Sequence, residues 1–179
     1  MTHDQLKQMG RKLMEVAIRE LPSPTQAFHL VGKDGKIEVV LLGGEMTNSG
    51  KCKDIVSDYI RQRIKMDGVQ AVLMVSDTYA VVMDRKDQVA IRRAQRAIKM
   101  GLSVLQGEAL GIWKKGEAIA VTCESIDGLA YFLKQPYLRD PADQSKTILE
   151  DLEEYYEAAP CESRFTGLFA ATRSRVEST

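Results

Sequence analysis

Apolar residues recur at three-and-four spacing from the start of the chain. Leu6, Met9, Leu13, Val16, Ala17 and Leu21 fall on one side of a helix. Pro22 and Pro24 end it, because proline lacks the N–H that a helix interior needs. Two short apolar runs follow, Ala27 to Val31 and Ile37 to Leu42, joined by Gly32-Lys33-Asp34-Gly35-Lys36. An Asp-Gly between such runs predicts a β-hairpin, with Gly35 taking the positive φ of the turn. Thr47-Asn48-Ser49 then supplies side-chain oxygens that cap a helix start. The helix carries Cys52, Ile55, Val56, Tyr59, Ile60 and Ile64 on one face and closes at Asp67-Gly68.

The second half reads less regularly. Val69 to Val75 and Tyr79 to Met83 are β-rich runs separated by Ser76-Asp77-Thr78, which predicts a second hairpin. Lys86 to Gln106 shows Ile91, Ala94, Ile98, Leu102 and Leu105 at helical spacing, with Gly101 the weak position. Leu110 to Trp113, Ala118 to Cys123 and Leu129 to Leu133 predict strands, with turns at Lys114-Lys115-Gly116 and Asp127-Gly128. A last helix is predicted over about Asp143 to Ala158 on Ile148, Leu149, Leu152, Tyr155 and Tyr156. One more apolar run spans Phe165 to Ala171.

Strands joined by tight turns run antiparallel, so the expected class is α+β. We expect one domain over residues 1–179, an antiparallel sheet of about five to seven strands built from hairpins, with helices packed on it. A helical C-terminal extension is expected from about residue 139. The order of elements is similar to roadblock or profilin-like domains, in which helices cover an antiparallel sheet. That resemblance implies a fold and no activity.

Composition narrows the partners. The 179 residues are 44% hydrophobic and 28% charged, which excludes a disordered polymer. Lys plus Arg and Asp plus Glu are 25 each, so the formal net charge is zero, against a dedicated nucleic-acid or membrane-surface binder. Aromatic residues are 6%, with the single Trp113, too few for a base-stacking platform. No apolar run reaches membrane-spanning length, and the charged first residues lack the core of a secretory signal. Cys52, Cys123 and Cys161 are widely spaced and odd in number, and only His3 and His29 accompany them. That pattern suggests no disulfide framework and no zinc site, and a reducing, cytoplasmic setting. No cofactor and no metal are expected.

Three patterns could carry chemistry. Gly44 to Cys52 stands between a strand and a helix, where a phosphate-binding loop would stand. It has five residues between Gly44 and Gly50 instead of four, and Cys52 in place of the magnesium-binding hydroxyl. Gly44, Ser49, Gly50 and Lys51 are its candidate phosphate contacts. A nucleophilic cysteine would need a base, and His29 with Cys123 on one sheet is the pairing available. No catalytic residue is assigned.

Charge is more telling. Arg85 to Lys99 holds six cations against Asp87, and Asp143 to Glu157 holds six acids against Lys146. The candidate basic face is Arg92, Arg93, Arg96 and Lys99; the candidate acidic face is Glu150, Glu153, Glu154 and Glu157. Opposed poles of this kind favour encounter and register between protein surfaces. The expected function is therefore a non-catalytic protein-interaction or accessory protein whose partner is another protein or itself. The alternatives are a nucleotide or phosphate on the Gly43 to Lys51 loop and nucleic acid on the basic helix.

Overall fold

The computed structural model describes residues 1–47, 50–82, 87–140, 142–143, 146–156 and 168–169. Asn48, Ser49, Met83, Arg85, Lys86, Glu157, Cys161 and most of the Phe165 to Ala171 run lie outside them. Helix α1 spans His3–Arg19, then strands β1 (Ala27–Val31) and β2 (Ile37–Leu41) form the expected hairpin. Helices α2 (Gly44–Thr47) and α3 (Gly50–Asp67) lead to strand β3 (Ala71–Val82). Helices α4 (Gln88–Lys99) and α5 (Val104–Ala109) precede strands β4 (Lys114–Ser125), β5 (Ala130–Arg139), β6 (Thr147–Leu149) and β7 (Glu153–Tyr156).

All seven strands join one open antiparallel sheet in the order β2-β1-β3-β4-β5-β6, with β7 also pairing β5. The α+β class and the antiparallel sheet read from the sequence are therefore those of the molecule. Helix α1 covers one face over β3, β4 and β5, burying Leu6, Met14 and Ala17 against Leu73, Val121, Cys123 and Leu133. Its start is fixed by a reciprocal cap, in which Thr2 Oγ1 accepts from Gln5 N–H and Gln5 Oε1 from Thr2 N–H. Helix α3 covers the other face, where Ile60 and Ile64 meet Phe28, Leu30, Val72 and Met74, with Leu168 and Phe169 beside them.

Four expectations are corrected. Ser76-Asp77-Thr78 is no turn: the three residues pair with Ala120, Ile119 and Ala118, and β3 runs unbroken for 12 residues. Without a glycine to take positive φ, their turn preference yields to the ladder, and Asp77 Oδ1 accepts the Tyr137 hydroxyl at 3.2 Å. The helix over Lys86 to Gln106 is two helices, broken at Gly101, whose φ is +81°. Leu110 to Trp113 is a turn region rather than a strand, and Lys114-Lys115-Gly116 opens β4. The last helix is instead β6 and β7: Ile148, Leu149, Tyr155 and Tyr156 suit short strands that finish the sheet as well as they suit a helix face.

The buried stripe of α1 is also rotated from the one expected. Gly10 and Met14 are buried while Val16 stands half-exposed. Gly10 permits this close seat, because a Cβ there would lie 2.8 Å from Cys123 Sγ.

Candidate functional site: the open β2 edge

The two ends of this sheet are built differently, and the difference follows from backbone bookkeeping. The Leu42 N–H donates to Gln26 O and the Gly32 N–H to Lys36 O. Register then places the remaining β1–β2 ladder bonds at Glu38 and Val40, because hydrogen-bonded pairs alternate along an antiparallel strand. The N–H and C=O groups of Ile37, Val39 and Leu41 therefore point away from β1, and among the described residues no strand meets them. Their side chains all emerge on the α1 face, opposite Val31, His29 and Ala27. Helix α1 does not reach that far, so Ile37, Val39 and Leu41 are 51%, 48% and 64% exposed.

Apolar surface flanks the edge on both faces. On the α1 side, a groove of about 130 Å³ is lined by Leu13, Val16, Thr25, Ala27, Val39 and Leu41. Ligand sites usually measure about 300–1,000 Å³, so this groove suits a single side chain of a docked strand better than a metabolite. On the other side Arg63 of α3 reaches β2 at Glu38, and Tyr59 and Ile55 lie one and two turns before it on the same side of the helix. Arg63 Nη2 donates to Glu38 Oε2 at 2.6 Å and its Nη1 to the Tyr59 hydroxyl at 2.9 Å. Ile55 and Tyr59, expected to be buried with Val56 and Ile60, are instead 62% and 44% exposed.

The charged sets are not brought together. Arg92, Arg93, Arg96 and Lys99 are exposed on α4, whose buried residues are Ala94 and Ala97, with no ion pair to any described residue. Helix α4 is held by a small cluster in which those alanines meet Trp113. The Trp113 ring lies against the α5 backbone, where a Cβ on Gly107 would come within 2.0 Å of it. The acids do not share a helix face. Glu154 takes Arg11 at 2.6 Å and Glu153 takes Lys134 at 3.1 Å, while Glu150 is exposed between β6 and β7. Burial pulls the Glu154 carboxyl up, but the hydrogen bonds and charge of Arg11 outweigh it and hold the group below its ordinary range.

The chemical candidates are likewise apart. His29 and Cys123 sit in one row of the sheet with Leu73 between them, two strand spacings or about 10 Å apart. Burial lowers the His29 pKa and raises that of Cys123, so neither is drawn toward an imidazolium–thiolate pair. Gly44 opens α2, Gly50 and Lys51 open α3, and Lys51 is exposed. Among the described residues no group of three or more His, Cys, Asp or Glu is placed to hold a metal. No described helix is long and apolar enough to cross a membrane.

The edge itself was missed by periodicity. Ile37-Glu38-Val39-Val40-Leu41-Leu42 is apolar on both faces, which reads as an interior strand. The surplus of apolar positions over those the fold buries, in β2 and in α3, was the available signal.

Fold and site together define an α+β protein with an open antiparallel sheet whose β2 edge, among the described residues, meets no further strand. No family model, curated protein or solved structure matches the chain.

Proposed function

We propose that the protein is a non-catalytic interaction module that docks a partner strand onto β2. The observation that carries this reading is the coincidence, on Ile37, Val39 and Leu41, of outward backbone groups with exposed apolar side chains. In strand addition, main-chain hydrogen bonds supply affinity and alternate side chains supply selectivity, and the three residues present both at once. The test is binding of a fluorescein-labelled peptide of the β2 sequence, flanked by lysines for solubility and followed by anisotropy. Val39→Pro removes an outward N–H and spares the β1 ladder, as proline is tolerated on edge strands. It is expected to weaken the peptide by about 100-fold. Equal binding by wild type and Val39→Pro, or no binding to either, overturns the reading.

A second reading rests on the four cations of α4 that pair with no described residue: a polyanion held through its phosphates. Binding of a short oligonucleotide that falls steeply with salt and disappears on reversing Arg92, Arg93 and Arg96 to Glu would support it. The same triple reversal is expected to leave the strand peptide bound as before.

A further inference from the structure

Resting on the edge reading, we infer that the strand β2 accepts is β2 of a second copy, paired antiparallel about a two-fold axis through Val39. Three registers bring at least two outward residues of each β2 strand opposite outward residues of the other, and the chain's own groups decide among them.

With Val39 opposite Val39, Ile37 of each copy faces Leu41 of the other, and all three outward residues exchange backbone bonds, about six in total. Shifting so that Glu38 faces Glu38 sets like charges directly across the ladder and brings Leu41 to Gly35, whose N–H already donates to Gly32 O. Shifting the other way brings Ile37 to Gly43, whose carbonyl already accepts from Met46 N–H. Only the Val39-centred register uses every free group without apposing like charges.

The flanks agree with it. A two-fold axis normal to the sheet keeps the two α1 helices on one face and the two α3 helices on the other. Val16 and the Ile37, Val39, Leu41 row then extend across the junction on one side, and Ile55 and Tyr59 approach their mates on the other. The exposed parts of these six side chains amount to on the order of 550 Å² per copy, to which the edge backbone adds, against about 800 Å² per partner in standard interfaces. An isologous pair also consumes both β2 edges and stops.

The test uses the pairing of residue 37 with residue 41. Sedimentation velocity at about 100 µM is expected to show the wild type as a dimer. Ile37→Lys and Leu41→Glu, each placing a charge against an apolar partner, are expected to be monomers with unchanged circular dichroism. Mixing the two monomers sets the introduced lysine of one against the introduced glutamate of the other and leaves one native Ile37–Leu41 pair. A heterodimer at least about tenfold tighter than either homodimer is expected, and its formation shows that both variants are folded. A wild type that stays monomeric at about 1 mM, or a mixture that sediments as its parts, overturns the inference. If the labelled peptide still binds in that case, self-pairing falls while the edge reading stands. If the peptide fails too, both fall.

Discussion

The two edges of the sheet face the same hazard, a row of unpaired backbone groups, and meet it in different ways. The far edge is made of two short strands, β6 with three residues and β7 with four. The gap between them falls where β5 carries Pro136, which has no N–H to offer. Pro136 O accepts from Glu150 N–H, and Gln135 Nε2 closes the break by donating to Glu150 O at 2.6 Å. The β7 acids are tied to Arg11 and Lys134. Splitting, proline and charge are the usual guards against edge-to-edge association. β2 has none of them on its outward residues. A fold that blunts one edge and leaves the other apolar and, among the described residues, unpaired supports the proposal that the second is a docking surface.

The same substitution at both edges separates them most sharply. Val39→Pro and Leu149→Pro each remove an outward N–H and spare the ladder bonds, which on β6 fall at Ile148 and Glu150. The first is expected to weaken association by about 100-fold and the second to leave the oligomeric mass unchanged. The far edge instead answers in stability. Gln135→Ala strands the Glu150 carbonyl, and chemical denaturation should register a loss of about 1–3 kcal/mol with association intact. Flanking contacts come next. Replacing Ile55 and Tyr59 together by Ser should loosen the dimer by roughly tenfold while circular dichroism stays that of the folded chain.

The smallest effect is in pH. Burial holds the folded His29 pKa below its ordinary value, so the unfolded chain takes up the proton first. The His29 contribution is complete above the unfolded pKa of about 6.5 and is lost as pH falls toward the folded value. Urea midpoints of dilute protein should therefore drop between about pH 7.5 and pH 5, and His29→Leu should lessen that drop.

Much of the fold was legible because its signals are local. The α1 spacing, the Asp34-Gly35 turn and the Gly68 stop of α3 each act within a few residues. The β6 and β7 segment was not, since Ile148, Leu149, Leu152, Tyr155 and Tyr156 satisfy both periods over so short a span. Ser76 to Thr78 misled for a tertiary reason: the neighbouring β4 decides whether they turn. The charge poles were legible as composition, but the placement of Glu153 and Glu154 against Lys134 and Arg11 depends on a sheet order that no local pattern encodes. The β2 edge was hidden by the same rule that found the core, because an apolar residue turned toward a partner is indistinguishable in sequence from one turned inward.

Three amides carry the proposed pairing. Hydrogen exchange at Ile37, Val39 and Leu41, followed while protein concentration rises from about 1 µM to about 1 mM, reads the edge directly. Protection of those three that grows with concentration, while the inward amides of Glu38 and Val40 stay protected throughout, is the predicted result. Fast exchange at all three at every concentration, even with the β2 peptide in excess, would contradict it.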